Sequence, residues 1–302
     1  MIGTTFSHPH LEYLNLDIDQ ALEQALTMNF SYLRLGAYWN RIESEPQHYD
    51  FSFLSKILNK CEQAKQAIVM TVGVKAPRWP EFYWPDHINS TSFKSQKTKT
   101  QLLKFVEQTV SNLKKYDCIT HWQVENEPLD PSGPDEQKIP FKFLQQEVEL
   151  VKKLDPRPII INLWGNDLFS RGLFPRANQL ADVIGLDLYP RQFVKEIFGQ
   201  SVYRGPAHNQ KQLKRLLANT HKPIWITELQ AEPWEKDEDG YLSNNPGSIS
   251  PEKLAKNIKQ TQQLPVNQIL LWGFEYWWWQ AQQGNGQYLE TVKRFIANKF
   301  AN

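Results

Sequence analysis

Apolar residues along this chain follow two alternating patterns. Short runs rich in Val and Ile occur at 2–6, 32–36, 67–74, 118–124, 158–163, 183–188, 223–229 and 268–274. Several are apolar almost throughout, as in Ala67-Ile68-Val69-Met70-Thr71-Val72. A strand covered on both faces requires this pattern, because neither side meets water. The intervening segments have the other period. Leu103, Val106, Val110 and Leu113 recur three and four apart, as do Phe141, Leu144, Val148 and Val151, the latter bracketed by Pro140 and Pro156. Both sets predict helices with one buried face. Leu213, Leu216 and Leu217 suggest another, and Ser250-Pro251 reads as an N-cap followed by a first-turn proline. Segments 52–64 and 289–297 complete the helical set.

Eight strands alternating with about eight helices argue for a parallel sheet. Eight such units in 302 residues predict a closed α/β architecture, a single (β/α)8 TIM barrel spanning 1–302 as one domain. An open doubly wound sheet is the competing topology, but no G-x-G-x-x-G follows an early strand and no phosphate-binding G-x-x-x-x-G-K is present. In a closed barrel of this type the active site sits at the carboxyl ends of the strands. The polar residues at those ends therefore become the candidates.

Composition narrows the chemistry. The chain has 34 Lys+Arg against 33 Asp+Glu, which leaves no basic footprint for nucleic acid. No apolar window is long enough to span a membrane. No secretory signal is read at Met1-Ile2-Gly3-Thr4-Thr5-Phe6, so a cytoplasmic location is expected for the chain as given, and a secreted one if a leader has been removed. Cys61 and Cys118 are expected as two packed, reduced thiols. A near-neutral chain of 35.4 kDa is expected as a monomer. His8, His10, His121 and His221 form no ligand spacing, and neither metal nor cofactor is expected. The bias that stands out is aromatic, with 11 Trp, 11 Tyr and 16 Phe. Trp39, Trp79, Trp84, Trp164 and Trp234 fall just past strand ends, where they either line a cleft or pack loops, whereas Trp122 and Trp225 lie inside strands and read as core.

The fourth apolar run leads into Glu125-Asn126-Glu127-Pro128, and the seventh, Ile224-Trp225-Ile226-Thr227, ends on Glu228. Strands four and seven of a closed eight-stranded barrel lie across the mouth from each other, so their carboxylates can converge. Two opposed carboxyl groups are what cleavage of a glycosidic bond needs.

These motifs resemble clan A of the glycoside hydrolases. Beside Asn126-Glu127-Pro128 and Ile226-Thr227-Glu228, the second strand continues as Arg34-Leu35-Gly36-Ala37-Tyr38-Trp39-Asn40-Arg41-Ile42-Glu43 and then Tyr49-Asp50-Phe51. The third leads into Ala76-Pro77-Arg78-Trp79-Pro80. The wording is nearest to families five and forty-two. The resemblance implies a retaining β-glycosidase with Glu127 as acid/base and Glu228 as nucleophile, their carboxyl groups about 5–5.5 Å apart. It further implies that Asn126 binds the sugar 2-hydroxyl, that Arg34 holds the nucleophile ionised, and that Tyr189 hydrogen-bonds near the nucleophile. An aromatic from the eighth strand would form the sugar platform, and Trp277 is the residue chosen. The implied partner is a β-linked oligo- or polysaccharide. The chain departs from the pattern at the third strand, where Val72-Gly73-Val74-Lys75 stands in place of a strand-end His. Two other functions use the same residues: a transglycosylase of the same chemistry, and a non-catalytic sugar-binding barrel, whose signature would be loss of one carboxylate. Glu125 reads as a supporting residue, and Glu275 either binds a sugar hydroxyl or anchors polar groups at the barrel mouth.

Overall fold

All eight apolar runs form strands of one closed parallel barrel in the computed structural model, which describes residues 1–168, 172–198, 200–235 and 246–297. The barrel strands are β1 (Ile2–Thr5), β2 (Leu33–Gly36), β3 (Ile68–Val72), β4 (Ile119–Val124), β5 (Ile159–Trp164) and β6 (Val183–Leu188), then β9 (Ile224–Gln230) and β10 (Gln268–Trp272). An antiparallel hairpin, β7 (Gln192–Ile197) and β8 (Gln200–Arg204), is inserted after β6. Around the barrel the order is β1-β10-β9-β6-β5-β4-β3-β2. No helix among the described residues is long and apolar enough to cross a membrane.

By internal packing the chain divides into two compact units. One comprises Tyr32–Leu163 and Gly172–Gly185. It holds β2, β3, β4 and β5 up to its last residue, with helices α3 (Trp39–Ile42), α4 (Ser52–Gln63), α5 (Gln96–Leu113), α6 (Phe141–Leu154) and α7 (Phe174–Leu180). Its strands pair in parallel, Arg34 beside Val69, Met70 beside Trp122, and Trp122 beside Ile159. Every residue of β3 is buried, the pattern its continuous apolar run requires. Helix α5 starts where the Ser95 hydroxyl accepts the Thr98 N–H at 3.2 Å, satisfying one of the orphan donors of the first turn. Leu102, Phe105, Val106, Val110 and Leu113 bury its inner face. Helix α6 buries Phe143, Leu144, Val148 and Val151 together with one carboxylate, Glu147, while Phe141, expected on that stripe, is only half-buried. Cys61 and Cys118 are buried and unbridged, and burial pushes their thiols up to about 12 and about 11.

The other unit comprises Met1–Ser31, Trp164–Arg171 and Leu186–Asn302. It holds β1, β9, β10 and the hairpin, with α1 (His8–Tyr13), α2 (Ile18–Thr27), α8 (Gln210–Ala218), α9 (Pro251–Thr261), α10 (Phe274–Gln282) and α11 (Gln287–Ala297). Helix α9 begins as expected: the Ser250 side chain accepts the Lys253 N–H at 3.3 Å, and Pro251 occupies the first turn. The eighth strand is shorter than the 268–274 run suggests. It stops at Trp272, and Gly273 adopts φ 149° before the chain turns into α10. A Cβ on Gly273 would lie 2.8 Å from the backbone of Ala231, so this corner accepts only glycine. The aromatic stretch Phe274–Gln282 is thus helical, although its residue types favour strands.

Candidate active site

The acid/base candidate stands on a braced turn at the carboxyl end of β4. Glu125 and Glu127 both take positive φ, 60° and 43°, a conformation that L-residues hold only when their surroundings fix it. Asn162, on β5, supplies part of that fixing. Its Oδ1 accepts the Glu127 backbone N–H at 2.8 Å, and its Nδ2 donates to Asn126 Oδ1 at 2.9 Å. Gln123 Nε2 donates to the same Asn126 oxygen at 3.1 Å, and Arg34 Nη1 reaches it at 3.4 Å. With its carbonyl oxygen engaged by these donors, the Asn126 amide has a defined orientation, its NH2 turned away from them. Arg34 is fully buried and also reaches Gln123 Oε1 at 3.3 Å. From the other side, Lys75 Nζ donates to the backbone carbonyls of Glu127 at 2.7 Å and Asp130 at 3.0 Å. Lys75 is itself fully buried.

The nucleophile candidate is placed by a bulge. Along β9 and β10, Ile226 pairs with Ile269 but Leu229 pairs with Leu271, so three residue steps on β9 oppose two on β10. The extra residue falls around Thr227 and Glu228. A bulge of this kind re-aims a side chain out of the regular alternation. The strand then continues to Gln230, two residues beyond the end expected for it. Glu228 is buried, and the Tyr189 hydroxyl donates a hydrogen bond to its Oε2. Tyr189 is clamped in turn by Asn166, which donates to the Tyr189 carbonyl at 2.8 Å and accepts its N–H at 3.0 Å. The Thr227 hydroxyl donates to Asp187 Oδ1 at 2.6 Å.

Aromatic rings gather beside Tyr189. Trp164 stacks on it with centroids 5.1 Å apart, and Trp234 meets it edge-on at 4.8 Å. Trp234 keeps 36% of its surface exposed. Trp277 is differently placed. It lies within α10 rather than on a strand, has no exposed surface, and its indole N–H donates to the Ala231 carbonyl at 2.7 Å. A ring enclosed in this way presents no face to a sugar. Glu275 accepts the Ser7 N–H at 2.6 Å and is fully buried, the anchoring position of the two expected for it. Trp39 is core, its indole N–H on Glu43 Oε2 at 2.6 Å and its ring stacked on Phe105. Trp79 is 70% exposed. Trp122 and Trp225 are buried, as their positions inside strands suggest. The acidic segment Asp237-Glu238-Asp239-Gly240 lies outside the described residues.

Asn162, Gln123, Lys75 and Asn166 were not legible as site residues. Each acts through a contact that exists only once the strands are assembled. The one local hint lies at 147, where a glutamate occupies the apolar stripe of α6 between Leu144 and Val148.

No protein-family model matches the chain, and no curated protein matches it in sequence. Solved structures do match in fold. A β-galactosidase from the haloarchaeon Halorubrum lacusprofundi aligns at a TM-score of 0.59 and 13% identity, over 89% of this chain and 52% of that one. A β-galactosidase from Marinomonas ef1 aligns at 0.62 and 12%, over 89% and 53%. GH5_18 from Streptomyces cattleya, in complex with GlcNAc, aligns at 0.63 and 13%, over 90% and 70%. The chain spans about half the length of these β-galactosidases. At such identities the likeness is one of fold.

Proposed function

We propose that this chain is a retaining glycoside hydrolase acting on β-linked oligo- or polysaccharides, with Glu127 as acid/base and Glu228 as nucleophile. The observation that carries this reading is the pair of buried glutamates at the carboxyl ends of β4 and β9, each held by its own polar network. The fold shared with β-galactosidases and GH5_18 supports the same class of substrate.

The chemistry follows from the residues. Glu228 attacks the anomeric carbon as Glu127 gives its proton to the departing glycosidic oxygen, so one C–O bond forms while the other breaks. Water then attacks the same carbon, passes a proton to Glu127, and releases Glu228. The Tyr189 hydroxyl fixes the orientation of the Glu228 carboxylate. Buried Arg34 holds the Asn126 carbonyl oxygen from β2. The Asn126 NH2 donates to the sugar 2-hydroxyl, a contact that strengthens toward the transition state. Trp234, backed by Trp164, takes the stacking role in place of the enclosed Trp277, because it presents an open aromatic surface.

The test is a hydrolysis screen on aryl β-glycosides, galactosides and mannosides among them, and on β-linked polysaccharides. Wild type is run beside Glu127→Ala and Glu228→Gln. The reading predicts turnover by the wild type and its loss in both variants. Turnover retained by Glu228→Gln would refute the nucleophile assignment. Sugar binding without wild-type turnover would turn the reading to a binding barrel.

A further inference from the structure

Two buried carboxyl groups lie outside the catalytic pair and meet each other behind the Glu127 turn. Glu125, at the end of β4, and Glu147, on α6, are both fully buried. Glu125 Oε1 accepts the Val74 N–H at 3.0 Å, and its Oε2 accepts the Lys75 N–H. Glu147 faces the Glu125 carboxyl, and among the described residues no donor group reaches either Glu147 oxygen. Two carboxylates cannot hydrogen-bond each other, because both only accept. The contact is bonding when one of the pair carries a proton. Glu125 already receives two backbone donors and so is suited to the charge, which leaves Glu147 to hold the proton.

The backbone is built around this pair. Gly73 adopts φ 126°, and a Cβ there would lie 2.2 Å from the Glu125 carboxyl carbon. The carboxyl group occupies the space that any other residue at 73 would fill. The segment Glu125 grips, Val74-Lys75, is also the segment that holds Glu127. The Asn126 N–H donates to the Lys75 carbonyl at 2.6 Å, and Lys75 Nζ binds the Glu127 carbonyl at 2.7 Å. The charged group facing the pair from the segment after β3 is Lys75, whose ammonium also lies 3.6 Å from Glu81 Oε2.

We propose that Glu125 and Glu147 share one proton and act together as a positioning device for Glu127, fixing its turn through Val74 and Lys75. The proposal rests on the glycosidase reading for its kinetic consequence only. Burial supports the proton sharing, since it raises both carboxyl groups above their ordinary range, and the charge of Glu125 raises Glu147 further.

A misplaced general acid harms substrates whose leaving group needs a proton and spares those whose leaving group departs unaided. Glu147→Leu and Glu125→Gln should therefore lower kcat on an unactivated β-linked disaccharide by about tenfold or more. Neither should much change the glycosylation rate on a dinitrophenyl β-glycoside of the same sugar. Glu147→Gln restores a donor to Glu125 and should rescue most of the loss seen in Glu147→Leu. Equal losses on both substrates, or no rescue by glutamine, would overturn the proposal.

A second readout needs no turnover. Groups whose folded pKa is raised add stability at low pH that fades as pH rises from the ordinary carboxyl range through the raised value. As pH rises from the ordinary carboxyl range through neutrality and above, the Tm of the wild type should fall by more than that of Glu147→Gln. Identical pH dependence in the two proteins would overturn the shared proton. A wild type inactive on every glycoside sinks the glycosidase reading alone, because the melting comparison still decides the pair.

Discussion

The side chain of Asn162 ties together two neighbouring residues of the β4 turn: its Oδ1 accepts the Glu127 backbone N–H at 2.8 Å, and its Nδ2 donates to Asn126 at 2.9 Å. One side chain from β5 thereby sets both the proposed acid/base and the residue assigned to the sugar 2-hydroxyl. Asn162→Ala leaves a buried N–H unpaired and frees the Asn126 amide, a loss of about 1–3 kcal/mol. The expected outcome is a fall in kcat/KM larger than the fall in Tm accounts for, read by steady-state kinetics beside thermal melts. Wild-type kinetics in the variant would remove Asn162 from the site.

Tyr189→Phe isolates the hydrogen bond to Glu228, because the ring contacts with Trp164 and Trp234 survive the change. A hydrogen bond to a charged group contributes about 1.5–3 kcal/mol, so kcat/KM should fall by roughly one to two orders of magnitude. Unchanged kinetics in Tyr189→Phe would show that the bond has no part in orienting Glu228.

Trp234→Ala should raise KM on oligosaccharides more than it lowers kcat, since stacking on a sugar face binds ground and transition states alike. Isothermal titration with an oligosaccharide product checks the same point without turnover. An unaltered KM together with unaltered product binding would move the platform elsewhere.

His121 gives the fold an acid limit. Burial lowers it to about 4, below the ordinary histidine range, so the folded protein favours the neutral ring. The sign follows: this stability is present above about pH 6.5, the unfolded value, and is lost as pH falls toward about 4. His121→Gln should show a smaller drop in Tm across that interval. An identical drop would assign the acid sensitivity to other groups.

Much of the frame could be read from periodicity, because a strand buried on both faces must be apolar at every position, and β3 obeys this throughout. The two glutamates were legible for a related reason: a polar residue ending an apolar run lands at the strand's carboxyl end. Elsewhere local preference and tertiary context disagree, and the pattern along the chain does not carry the outcome. Residues 274–279 have strand-forming side chains, yet Gly273 turns them into α10 and encloses Trp277. The β7–β8 hairpin escaped notice because its exposed strands mix Lys195 and Glu196 with Phe193 and Val194. The bulge at Glu228 arises from the pairing of β9 with β10 and has no counterpart in either strand alone. Glu147 did carry a signal, a charge on an apolar stripe, but its partner Glu125 becomes visible only in the folded chain.

The most direct test is to trap the intermediate. Wild-type protein is incubated with the 2-deoxy-2-fluoro glycoside of whichever sugar it cleaves, then digested and mapped by mass spectrometry. The double-displacement mechanism predicts a stable glycosyl ester on the peptide carrying Glu228, and none in Glu228→Gln. A turning-over enzyme that forms no adduct and releases product of inverted configuration, or one labelled at another residue, would contradict it.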